Sequence, residues 1–239
     1  MTADTGAKSA PVDVRERLAI ALDVDDLVVA TRLARQMKPY FGVAKIGLEL
    51  FSANGPDAVA ALADIGYDIF LDVKLHDIPN QVEKAARVLG ALGTSYLTLH
   101  AFGGVDMLRA GQEGLVDGAK RAGLPSPTTL AVTILTSDGS APPHILQKRV
   151  QIALEAGCGG IVCAANDVKE AHQYAPRFEI VVPGIRLAGT SAHDQARVAT
   201  PASAIEAGAD ILVIGRAVTA AEDPIAAAEA IVGEVGAAL

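Results

Sequence analysis

The 239-residue chain is 51% apolar, has no Trp, and carries 20 basic against 28 acidic side chains, a net charge of −8. That length suits one α/β domain with a substantial core, and an acidic balance without basic runs or basic–aromatic interleaving argues against nucleic-acid binding. No apolar run reaches membrane-spanning length, the polar start lacks the apolar stretch of a signal peptide, and two cysteines cannot build a disulfide scaffold; a cytoplasmic protein with reduced core thiols at Cys158 and Cys163 is expected.

In chain order, residues 1–16 read as a flexible tail and 17–239 as one domain. Short apolar runs predict strands at 18–22, 42–46, 69–73, 96–99, 129–134, 160–163, 179–182 and 211–214. Helical periodicity between and after them predicts helices at 27–37, 56–65, 81–92, 104–122, 145–155, 167–174, 201–207 and 225–232. Asp26 and Asp167 stand where a cap would accept from the first-turn N–H groups, and Pro56, Pro201 and Pro224 fall at first-turn positions. Gly66, Gly93, Gly157 and Gly208 follow helix ends. Eight strands alternating with eight helices predict a (β/α)₈ TIM barrel, with an open doubly wound sheet as the competitor.

In such a barrel, chemistry sits at the C-terminal ends of the strands. The polar residues gather there. Asp23 follows the first predicted strand, and Lys45 closes the second. The third runs into Asp72-Val73-Lys74-Leu75-His76-Asp77-Ile78-Pro79, where residues two apart share a face, so Asp72 and Lys74 emerge together and Asp77 lies in the loop beyond. Lys45, Asp72, Lys74 and Asp77 can form an alternating acid–base array; a buried structural ion network is the plainer alternative. His100 ends the fourth strand and reads better as a hydrogen-bonded structural His than as a catalytic one. His76, His144, His172 and His193 lack metal-ligand spacing. Thr136 and Ser137 follow the fifth strand. Gly157, Gly159 and Gly160 precede a strand, so they are no dinucleotide fingerprint. Pro183-Gly184-Ile185-Arg186 and Ile214-Gly215-Arg216 each read as strand, sharp turn and cation. At the seventh and eighth strands that pattern predicts a phosphate site, against a plain turn with a solvated Arg. The polar loop 187–194 between them is a candidate lid, and Gln195 follows it.

These residues closely resemble the orotidine 5′-phosphate decarboxylase family. The Asp-x-Lys-x-x-Asp pattern is Asp72–Asp77 followed by Ile78-Pro79. Matching blocks run in order from Ala21-Leu22-Asp23 through Lys45-Ile46-Gly47 and Val132-Thr133-Ile134-Leu135-Thr136-Ser137 to the two Gly–Arg turns. The resemblance implies a cofactor-free and metal-free decarboxylation of orotidine 5′-phosphate to UMP and CO₂ in pyrimidine synthesis, by a homodimer of barrels. It implies Lys74 as proton donor to C6, Asp72 against the substrate carboxylate, and Lys45 and Asp23 at the ribose. Asp77 and Ile78 would reach into the partner's site. Thr136 would lie near the pyrimidine, and Gln195 would bridge base and phosphate. Gly215 and Arg216 would hold the phosphate, with Arg186 alongside. Gln81 is a further expected ligand contact, at a position where many bacterial relatives have Thr. The chemistry agrees: with no electron sink, a carbanion developing at C6 needs a fixed cation and then a proton, and an ammonium supplies both. Two alternatives are weighed. Mg²⁺-dependent relatives (3-keto-L-gulonate 6-phosphate decarboxylase, hexulose-phosphate synthase) share the charged motif but would need a carboxylate on strand two, where Lys45 stands. A non-catalytic nucleotide-binding barrel would not need the intact charged set.

Overall fold

A computed structural model describes residues 13–138, 141–142, 144–187 and 199–239. Residues 1–12 of the expected tail lie outside them. Val14–Arg17 is a turn of 3₁₀ helix capped by Asp13, and the Gly42 N–H donates to Arg15 O at 2.7 Å, so contacts with the barrel begin ahead of residue 17.

The elements follow in alternation: β1 (Leu18–Ala21), α1 (Leu27–Met37), β2 (Val43–Gly47), α2 (Leu48–Asn54), α3 (Pro56–Asp64), β3 (Asp68–Leu75), α4 (Pro79–Gly90), β4 (Tyr96–His100), α5 (Gly104–Arg121), β5 (Thr128–Val132), α6 (Ile145–Ala156), β6 (Gly160–Val162), α7 (Val168–Tyr174), β7 (Glu179–Val182), α8 (Pro201–Ala207), β8 (Ile211–Ile214), α9 (Arg216–Thr219) and α10 (Pro224–Ala238). All strand pairs are parallel, and β8 returns to β1, closing the barrel in sequence order. The doubly wound alternative is thereby excluded. Parallel strands covered by helices are buried on both faces, which is why they read as unbroken Val/Ile/Leu/Ala runs. The outward side chains pack with the helices in one large core. Inside, a smaller cluster around Ala19, Val43, Phe70, Leu130, Val181 and Ile211 fills the barrel.

Local signals account for most boundaries. Asp26 accepts from Val28 and Val29 N–H at 2.7 and 2.9 Å, and Asp223 caps α10 in the same way. Gly157 and Gly208 close α6 and α8 in the left-handed conformation. Asp167 is a correction: it precedes α7 but makes no side-chain cap bond, because its own backbone is already helical (φ −92°, ψ −11°), ending a 3₁₀ turn. Two helices go beyond the sequence expectation, α2 and the single turn α9; each follows a glycine, Gly47 or Gly215, with no side-chain cap or first-turn proline to mark its start. α4 starts at Pro79, two residues early, because proline suits the first helical position. Cys158 and Cys163 are buried free thiols, and burial pushes Cys158 up to about 11 and Cys163 further. Among the described residues no helix is long and apolar enough to cross a membrane.

Candidate active site

The C-terminal ends of the strands surround a cavity of about 240 Å³. Asp23, Lys45, Asp72, Lys74, Thr136, Arg186, Gly215 and Arg216 all line it, so eight of the expected site residues converge from six strands or the loops that follow them. Its apolar wall includes Ile134 and Val162, and Phe70 lies beneath.

Two ion pairs organise the charged side. The ammonium of Lys45, a residue only 8% exposed, meets Asp23 Oδ1 at 2.6 Å; the Lys74 ammonium meets Asp72 Oδ1 at 2.7 Å. Gly47 leaves room for the first pair: a Cβ there would lie 2.9 Å from Asp23 Oδ1 and 3.0 Å from Lys45 Nζ. Within one chain the array is therefore two pairs side by side.

The backbone beneath the second pair is irregular. Leu71 pairs with Leu97 and Leu75 with Leu99, so Asp72, Val73 and Lys74 on β3 face Thr98 alone on β4. Such a bulge re-aims side chains at a barrel rim. Lys74 takes φ +49°, the one non-glycine residue at positive φ among those described. A left-handed conformation at a side-chain-bearing residue costs on the order of 1–3 kcal/mol and persists only where its surroundings hold it. Thr98 Oγ1 accepts from the Lys74 N–H at 2.9 Å and donates to Asp72 Oδ1 at 3.0 Å.

Across the cavity, β7 and β8 end in the two Gly–Arg turns. Gly184 lines the cavity and sits at φ +82°, which only glycine adopts freely. Arg186 is 6% exposed, with its backbone N–H on Ala199 O and Nη1 on Ile185 O at 2.8 Å. Its burial is inconsistent with a merely solvated arginine. Arg216 is exposed and opens α9, with Gly215 just ahead, and both line the cavity.

Asp77, Ile78 and Gln81 do not line this cavity. Asp77 accepts from the Ile78 N–H at 2.6 Å, Ile78 is 62% exposed, and Gln81 is exposed in the first turn of α4. Gln195 and the loop segment 188–194 lie outside the described residues. His100 does not line the cavity. Its Nδ1 accepts from the Phe102 N–H at 3.2 Å, and its ring stacks on His76 at 5.6 Å. Burial, then Arg149, His76 and Lys74, hold its pKa below the ordinary value. Sequence reasoning missed Thr98. Its signal was a lone hydroxyl in the apolar run Tyr96-Leu97-Thr98-Leu99, which by itself reads as an ordinary β-former.

Comparison with known proteins gives a consistent result. Residues 16–231 match the family described as "Orotidine 5′-phosphate decarboxylase / HUMPS family". The chain is 46% identical over 227 residues to the orotidine 5′-phosphate decarboxylase of Anaeromyxobacter sp. (strain K), covering 90% of this chain and 96% of that one. It is 41% identical over 233 residues to the enzyme of that name from Moorella thermoacetica, covering 92% of each. Among solved structures, orotidine 5′-phosphate decarboxylase from Lactobacillus acidophilus superposes with a TM-score of 0.78 at 36% identity, covering 92% of this chain and 99% of that one.

Proposed function

Because the chain belongs to the orotidine 5′-phosphate decarboxylase / HUMPS family, we propose that it converts orotidine 5′-phosphate to UMP and CO₂ in pyrimidine biosynthesis, using Lys74 as the proton donor. The observation that carries the mechanism is the Lys74–Asp72 pair at 2.7 Å, opening into a cavity whose far end offers Arg216, Gly215 and the buried Arg186.

The substrate's phosphate sits at that far end, and its C6 carboxylate lies against Asp72. Lys45 and Asp23 hold the ribose, and Thr136 lies beside the pyrimidine. Gln81 and Gln195 are further substrate contacts, Gln195 between base and phosphate. As the C6–carboxylate bond breaks, CO₂ leaves and its bonding electron pair stays on C6. The Lys74 ammonium lowers the energy of that charge, being fixed beforehand by Asp72 and by the bulge. It then gives one proton to C6, yielding UMP, and regains a proton from solvent. Phosphate binding far from C6 contributes energy that can be used to close the site and expel water. The working unit is a homodimer: Asp77 and Ile78 do not line their own chain's cavity, and Asp77 of the partner subunit completes the charged array, with Ile78 of the partner subunit beside it.

Lys45 also bears on the metal-dependent relatives. Lys45 stands on β2 where a Mg²⁺ centre would need a carboxylate, so the donor set favours a reaction without metal. The test is the loss of orotidine 5′-phosphate absorbance on adding purified protein, with and without EDTA. Conversion to UMP at equal rates in both is expected. No conversion by folded protein, or conversion abolished by EDTA and restored by Mg²⁺, overturns the proposal.

A further inference from the structure

The β3 bulge sets three residues, Asp72, Val73 and Lys74, against Thr98 alone. A regular parallel ladder would hold the Lys74 N–H on a backbone carbonyl and keep Lys74 extended. Here that N–H goes to a side chain, Thr98 Oγ1, at 2.9 Å, and the backbone bends to φ +49°. The same hydroxyl spends its one proton on Asp72 Oδ1 at 3.0 Å, the oxygen that also takes the Lys74 ammonium at 2.7 Å. Thr98 is fully buried and does not line the cavity, so it has no contact with a ligand there. One hydroxyl thus fixes both ends of the Lys74 residue, its amide directly and its ammonium through Asp72.

We infer that Thr98 is a positioning residue for the Lys74–Asp72 pair, holding Lys74 in the bent backbone that aims its ammonium into the cavity. Without the hydroxyl, the Lys74 amide loses its acceptor and Asp72 loses a donor. The bulge then relaxes toward extended backbone, where the ammonium points elsewhere. An ordinary buried threonine would behave differently. Its loss would lower stability without separating turnover from binding.

This inference rests on the decarboxylase reading, so the experiment runs wild type beside each variant. Thr98→Val keeps size and branching but removes the hydroxyl; Thr98→Ser keeps the hydroxyl. For Thr98→Val, kcat for orotidine 5′-phosphate is expected to fall about 100-fold, with KM and UMP affinity within about threefold of wild type, because a reacting group displaced by about 1 Å costs that much. Thr98→Ser is expected to recover most of the rate. If Thr98→Val does not fold, Thr98→Ala carries the same expectation. A Val variant with near wild-type kcat, a loss shared equally by kcat and UMP affinity, or a loss that Ser does not rescue overturns the inference. If wild type itself forms no UMP, the decarboxylase reading fails, and a crystal structure of Thr98→Val decides the positioning claim. Lys74 still at positive φ with its ammonium on Asp72 refutes it; Lys74 in extended backbone upholds it.

Discussion

Single residues carry two kinds of charge in this protein. Those on the cavity are paired and poised. Those at the opposite end of the barrel, such as Arg17, Glu179 and Asp210, are half-buried beneath it. Lys74 belongs to the first kind. Lys74→Ala is expected to lower kcat by at least about 10⁴-fold, since it removes both the fixed cation and the proton source, while UMP binding persists through the phosphate end. Isothermal titration with UMP beside a turnover assay checks both halves; turnover near wild type would remove Lys74 from the role. Glu179 belongs to the second kind. It accepts from the Tyr96 hydroxyl at 3.1 Å beneath the barrel. Burial raises its pKa above 4.5; the Tyr96 hydrogen bond opposes, Asp210 adds to the rise, and Arg17 again opposes. A carboxyl whose pKa is raised in the fold binds protons more tightly there than in the unfolded chain. Its contribution to stability is therefore fully present below the unfolded pKa and declines as pH rises through the folded one. Glu179→Gln retains an acceptor for Tyr96 and removes the charge. It should melt higher than wild type at pH 8, with the gap closing as pH falls toward 4.5. Melting curves across that range test this, and a variant that melts lower at pH 8 contradicts it.

At the scale of elements, α4 and α5 pack unusually closely because glycines line their contact. A Cβ at Gly90 would collide with Leu115 O, one at Gly114 with Glu83 O, and one at Gly118 with Arg87 O. Backbone carbonyls cannot swing aside as side chains can. Gly118→Ala gains about 1 kcal/mol of helix propensity but overpacks a rigid seam at about 1–3 kcal/mol or more. The expected net is destabilisation of about 1–2 kcal/mol, read by urea unfolding; a more stable variant would mean the helices slide apart freely. The salt bridges of Arg87 to Glu83 and Asp117 beside this seam are each about one-third exposed and are not what fixes it. α4 also carries the Asp77–Ile78 corner at its start, so the seam helps set where that corner stands.

The whole molecule poses the question of one chain or two. Asp77 lies off its own chain's cavity, and Ile78 is exposed beside it. If Asp77 of the partner subunit completes each site, mixing inactive Asp77→Ala and Lys74→Ala dimers under conditions of subunit exchange restores activity. In a mixed dimer, one of the two sites then has both wild-type residues. About a quarter of wild-type activity is expected from random exchange, since half the dimers are mixed and each has one intact site. Mass spectrometry confirms the exchange, and no recovery despite it defeats the shared site.

The chain's own pattern was enough for the barrel, because each βα unit is signalled locally. Apolar runs mark strands buried on both faces, and prolines and glycines punctuate the helices. It was enough, too, for which charges gather at the cavity, because Asp23, Lys45, Asp72, Lys74 and Arg216 all fall near the C-terminal ends of strands; the extended backbone that period-two alternation assumes for Lys74 is replaced by a bulge with Lys74 at φ +49°. The helices α2 and α9 were not legible, since each starts after a glycine with no cap residue or proline to mark it. Nor was the role of Asp167 at its helix, which depended on a preceding 3₁₀ turn. The tertiary structure alone decided which carboxylate each lysine takes, Asp23 for Lys45 and Asp72 for Lys74. It alone placed Thr98 against the bulge, 24 residues along the chain from Lys74. Local sequence dictates which face a side chain shows. Which distant partner meets it depends on register between strands, and register exists only once the barrel has closed.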